Sequence, residues 1–189
     1  MAKKKIKTAL AAGLILCSLA GCGESTPTGE MVNNSHVGKT VPALHELRAK
    51  VKEELGERYW PEISISEEEL EQETGITREM YIEFLAEEPG AEANVDKLII
   101  IRAKEDYVGA VEQALEDYRL RMIEENQKYP QNLCKVEASR METIENYICF
   151  VQLGADTTIA AGRGKDEIIS YCLEENERAV DILEKAILR

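Results

Sequence analysis

Four consecutive large apolar residues, Leu98-Ile99-Ile100-Ile101, lie between Asp96-Lys97 and Arg102-Ala103. They do most to limit what this chain can fold into. An uninterrupted apolar run of this length, rich in β-branched side chains, reads as a buried strand. Tyr147 to Leu153 reads as a second strand. Its residues Tyr147, Cys149, Val151 and Leu153 share one face, which we assign to the core, and Gly154 ends it. Between the two runs, Asp106 to Tyr129 is the clearest helix. Val108, Val111, Leu115, Tyr118 and Met122 step by three and four, and the outer face is charged. Pro130 stops it, because proline disfavours a helical residue before it. Thr77 to Ala86 is expected to be a short helix turning into a strand, and Glu87-Glu88-Pro89-Gly90 carries a turn signal. That segment and 96–103 then make a hairpin with a long loop. The expected fold is α+β, a small, mostly antiparallel sheet of about three strands packed against a long helix and terminal helices.

The remaining elements follow from helical spacing and end signals. Leu44, Leu47, Val51 and Leu55 form one stripe on a helix over about 42–57, closed by Tyr59-Trp60-Pro61. Trp60 is expected to cap the core there. Ser66, with Glu69 three residues on, has the capping-box pattern, and Gly75 suits the left-handed end of that short helix. Glu67, Glu68, Glu69, Glu71 and Glu73 lack the alternation of a calcium loop and read as a solvated helix start. Residues 131–141 add a short helix. Gly162-Arg163-Gly164-Lys165 opens the last one, to about Leu188, with Ile168, Ile169, Cys172, Val180, Leu183 and Ile187 on its apolar side. This run is not a phosphate loop, since Ile159 stands where glycine is needed and Asp166 where serine or threonine is needed.

The amino-terminal stretch bears on location. Lys3, Lys4, Lys5 and Lys7 precede a short apolar run, Thr8 to Ser18, followed by Leu19-Ala20-Gly21-Cys22. That order is a secretory signal, and the run is too short to span a bilayer. The cysteine after Leu-Ala-Gly marks a bacterial lipoprotein signal, with Cys22 acylated as the first mature residue. Each buried methylene contributes about 0.8 kcal/mol, so two or more long chains would hold the protein to the outer face of the cell membrane. The expected organisation is a signal peptide over 1–21, a flexible tether over 22–40 that carries His36, and a single α+β domain over 41–189.

Removing the leader takes four lysines and no acid, so the mature charge becomes −17 in place of −13. A chain this acidic repels nucleic acid, and none is expected as a partner. Three cysteines remain besides Cys22, an odd number that cannot form a complete disulfide framework. Cys149 and Cys172 sit among apolar residues, and we read them as buried free thiols in preference to a bridge. With only His36 and His45, no zinc spacing and no catalytic serine or cysteine arrangement is visible. The 36 acids provide many accidental carboxylate pairs, and two phenylalanines and one tryptophan are a poor supply for a sugar-stacking groove. No catalytic residue, metal ligand or cofactor is therefore expected.

Four features come in the order of a known family: Glu73-Thr74-Gly75-Ile76 closing an acidic helix, the strand Asp96 to Lys104, the long helix carrying Arg121 and Gln127 before Tyr129-Pro130, and Asn146 to Val151. From Pro61 to Gly154 this order resembles a family of Gram-positive bacterial lipoproteins known as a domain of unknown function, number four-three-five-eight. The resemblance implies no activity, and the helix from Lys165 onward departs from it. The expected role is a lipid-anchored, non-enzymatic module that meets the membrane through Cys22 and binds an envelope protein or ligand. The alternatives are a small-ligand receptor and a carboxylate-based envelope hydrolase.

Overall fold

A computed structural model describes residues 41–91, 93–154, 156–157, 162 and 164–189. The leader, Cys22, and the tether with His36 lie outside the described residues. Among those described, five α-helices surround one sheet of five strands, where about three were expected. In chain order they are α1 (Leu44–Leu55), β1 (Ile63–Ser64), α2 (Glu67–Thr74), β2 (Tyr81–Glu88), β3 (Lys97–Ala103), α3 (Val108–Glu125), α4 (Pro130–Glu137), β4 (Arg140–Ile144), β5 (Tyr147–Gln152) and α5 (Lys165–Ile187). The strand order is β1-β2-β3-β5-β4, and every neighbouring pair is antiparallel.

The two missed strands left little trace in the sequence. β1 is two exposed residues long, too short for any alternation. β4, Arg-Met-Glu-Thr-Ile, begins inside the helix expected over 131–141, at Arg140 and Met141; α4 ends at Glu137, and the chain passes within three residues into the strand. The β4–β5 hairpin turns through Glu145-Asn146 rather than an Asn-Gly pair. Glu145 adopts a φ of 56°, uncommon for a residue with a side chain. Asn146 makes up for it: its amide donates to Ala103 O at 3.0 Å, and Ala103 N donates back to Asn146 O at 2.8 Å. Glu87 and Glu88, expected in a turn, end β2 instead.

The sheet is covered on both faces. On one side Leu98, Ile100, Cys149 and Val151 meet the stripe of α1 and Ala179, Val180, Leu183 and Ile187 of α5. On the other, Ile99, Ile101, Ile148 and Phe150 meet Leu70 of α2, Val111, Leu115 and Tyr118 of α3, and Val136 of α4. The core face assigned to β5 is correct, but Ile148 and Phe150 on its reverse are equally buried. The capping box at Ser66 and the left-handed Gly75, with φ 76°, are both present. Trp60 does not cap the core; Tyr59 is the buried residue of that pair.

Cys134, Cys149 and Cys172 are free and buried, and Cys149 and Cys172 belong to separate clusters. Burial pushes the Cys149 thiol from 9.0 up to about 12. Burial likewise raises Cys172 to about 11, against a lowering influence from Lys135. A raised thiol pKa favours the folded state most at low pH, so this contribution is full below pH 9 and is lost as pH rises through 11 and 12. Urea midpoints are therefore expected to hold steady from pH 7 to 9 and fall above that, less steeply in Cys149→Ala. Aromatic disulfide reagents should label the native protein slowly and the urea-unfolded chain at once. Rapid native labelling of Cys149 would contradict this burial.

Candidate functional site

The charged side chains buried in the fold gather at one end of the sheet. There β2 finishes at Glu87-Glu88, Asp96 leads into β3 at Lys97, and β5 finishes at Gln152, with Lys97 opposite Gln152 in register. Asp96 and Lys97 enter different surroundings.

Lys97 faces α2 and α3. Its ammonium lies 2.8 Å from Glu73 Oε2 and 3.1 Å from Glu88 Oε2, and 5.4 Å from the centre of the Tyr118 ring. Tyr118 donates its hydroxyl proton to Glu73 at 3.1 Å. Burial works against the charge on Lys97, but Tyr118 and Glu73 outweigh it and raise its pKa. Burial pushes the Tyr118 phenol up to about 12, with Lys97 acting the other way. Arg121, stacked at 5.9 Å on the same ring, donates to Glu73 O. A cleft of about 430 Å³ opens over this group, with Asn94, Glu125 and Asn126 on its rim.

Asp96 is fully enclosed. It pairs with Lys135 of α4 and accepts from Gly154 N at 3.2 Å. Burial raises its pKa, with Lys135 opposing. Lys135 also sits 4.6 Å over the Trp60 ring. Beside this pair, Asn176 accepts from Leu153 N at 2.7 Å and donates to Ala138 O at 3.0 Å, which ties α5 to both β5 and α4. Glu175, also buried, is bonded to Arg58. Gly154 has a φ of 77°, and a β-carbon there would lie 3.4 Å from Glu175 Oε2. Nearby, Glu87 accepts from Tyr59 at 2.7 Å and from Arg48 at 3.0 Å.

The family model for DUF4358, a domain of unknown function, matches residues 37–153, more than half of the chain. The chain belongs to the DUF4358 family. No curated protein and no solved structure matches it. The DUF4358 match takes in the sheet, Lys97 and Asp96 with their partners on α2, α3 and α4, and the first four helices. It stops before α5, whose Asn176 and Glu175 complete the polar end.

The acidic run 67–73 divides in the structure. Glu69 closes the capping box, whereas Glu73 reaches Lys97. His45 is exposed on α1. Lys165 opens α5 and pairs with Glu137 at 2.7 Å. Arg163 lies outside the described residues. Among the described residues no three His, Cys, Asp or Glu side chains converge as metal ligands. Sequence reasoning missed Lys97, Tyr118 and Lys135. The one available signal was a charged pair opening an otherwise apolar strand.

Proposed function

We propose that this chain is a lipid-anchored module on the extracytoplasmic face of the cell membrane, held by acylated Cys22, that binds an envelope component without transforming it. The observation that carries the reading is the order of lysines, apolar run and Leu19-Ala20-Gly21-Cys22. The site geometry supports the binding half. Glu73 and Glu88, two of the carboxylates lining the cleft, share one ammonium. Both are engaged by Lys97, and Glu73 also by Tyr118, so neither is left free to face a scissile bond. The cleft over Lys97 favours a second reading, a receptor for a small ligand.

Cys22→Ser is the test of anchoring. The wild-type chain is expected to incorporate labelled palmitate and sediment with membranes, while the variant takes up no label and is released. A variant that stays membrane-bound would refute the anchor. Cross-linking from the anchored wild-type protein in cells then reports the envelope component.

A further inference from the structure

The cleft over Lys97 continues into a second, outer cleft of about 840 Å³, and the two share Val95, Glu125 and Asn126. The outer cleft runs past the junction of α3 and α4, where Tyr129 stands 61% exposed. An exposed tyrosine on a mobile loop would mean little. This one is held. Its N–H donates to Asn126 O at 2.8 Å, its carbonyl accepts from Leu133 N at 2.8 Å, and Pro130 follows as the first residue of α4. The ring is presented to solvent by a pinned backbone.

Carboxamides line the two clefts: Asn126, Gln131 and Asn132 in the outer one with Tyr129, and Asn94 in the inner one. Asn94 uses its oxygen on Asp96 N, and Asn126 uses its NH₂ on Met122 O. The NH₂ of Asn94 and the oxygen of Asn126 keep their capacity, and the side chains of Gln131 and Asn132 make no hydrogen bond among the described residues. The inner charges, Lys97 with Glu73 and Glu88, are committed to one another, so they offer little to an ionic ligand. Glu125 and Lys128 also line the outer cleft, one charge of each sign, so its lining carries no net charge, and beside them are a flat aromatic face and groups that both donate and accept. Hydroxyl groups do both as well, and the C–H face of a pyranose ring packs on an aromatic ring. A mature charge of −17 repels polyanions but leaves a neutral polyhydroxyl chain indifferent.

We propose that the groove from Lys97 to Tyr129 binds an uncharged segment of glycan, with Tyr129 as the stacking platform and the four carboxamides as its hydroxyl readers. This rests on the binding-module reading and names its ligand class. It also reverses the expectation, drawn from the small phenylalanine and tryptophan content, that a sugar-stacking groove is absent, because tyrosine supplies the platform.

The test uses the lipidated mature protein in detergent micelles. It is titrated calorimetrically with a tetrasaccharide of N-acetylglucosamine and one of glucose, and in parallel sedimented with isolated wall sacculi. Binding of a tetrasaccharide or retention by sacculi is expected. Sacculi alone would place the ligand in the polymer, and the tetrasaccharide alone would make it a soluble fragment. Tyr129→Ala is expected to weaken binding roughly tenfold, while Tyr129→Phe, which keeps the ring, stays within about twofold of wild type. Tyr129 is exposed, and unchanged thermal melting of both variants shows that the fold is intact. No binding in any arm, or full binding by Tyr129→Ala, overturns the proposal. If Cys22 anchoring and a cross-linked envelope partner survive that result, the binding-module reading stands and only the ligand class falls.

Discussion

A chain ended at Gly154 is expected to lose its cooperative fold, although the DUF4358 match itself ends at residue 153. α5 lies outside the match yet covers one face of the sheet. Val180, Leu183 and Ile187 are buried against Leu98, Ile100, Cys149 and Val151. Full burial of each such side chain contributes about 1.5–3 kcal/mol. The three together approach the roughly 5–15 kcal/mol that holds an ordinary domain folded. Truncation also strips Leu153 N and Ala138 O of their Asn176 partner. Residues 41–154 should therefore bind an apolar dye, lack near-ultraviolet circular dichroism and show no sharp urea transition, whereas 41–189 unfolds in one step. Leu183→Ala, a milder cut into the same face, should cost about 2–5 kcal/mol. A cooperative transition in the truncated chain at the midpoint of the longer one would show that α5 is an accessory.

Asp96→Ala is expected to be the most damaging single substitution at the polar end, at about 3–5 kcal/mol in urea unfolding. The cost lies less in the lost bond than in the Lys135 ammonium left buried without a counter-charge. Asp96→Asn keeps an acceptor for Gly154 N but not the charge, so it should cost nearly as much as alanine. Lys135→Ala strands the carboxylate in the same way and removes the cation from the Trp60 ring, and the change in tryptophan emission reports it locally. The double variant should fall well short of the two single costs added, the sign of a coupled pair. Additive effects, or a loss under about 1 kcal/mol for Asp96→Ala, would mean that water reaches the site.

Much of this was legible in the chain. The stripe of α1, the capping box at Ser66, the left-handed Gly75, the apolar run of β3 and the three-and-four spacing of α3 are each written within a single short stretch of chain, and each forms where it was expected. They are short-range consequences of side-chain period and backbone preference. β4 was not legible, because its turn depends on Asn146 reaching Ala103, 43 residues away. Neither was the second covered face of β5: whether Ile148 and Phe150 are buried depends on where α3 and α4 pack.

The candidate site follows the same division. The charged pair Asp96-Lys97 was visible as an irregularity at the start of an apolar strand. Which carboxylates meet Lys97 was not. Glu73 looked like one more solvated acid among five, and only the packing of α2 beside α3 brings it to Lys97 and Tyr118. The sequence by itself determined the α+β class, the family and most helix boundaries, since these depend on neighbours along the chain. Tertiary structure alone decided the strand count, the two-sided burial of the sheet, the packing of α5 on one of its faces and the pairing of the buried charges. Those depend on contacts between residues tens of positions apart, where desolvation lets a charge stay buried only beside the partner that the fold brings to it.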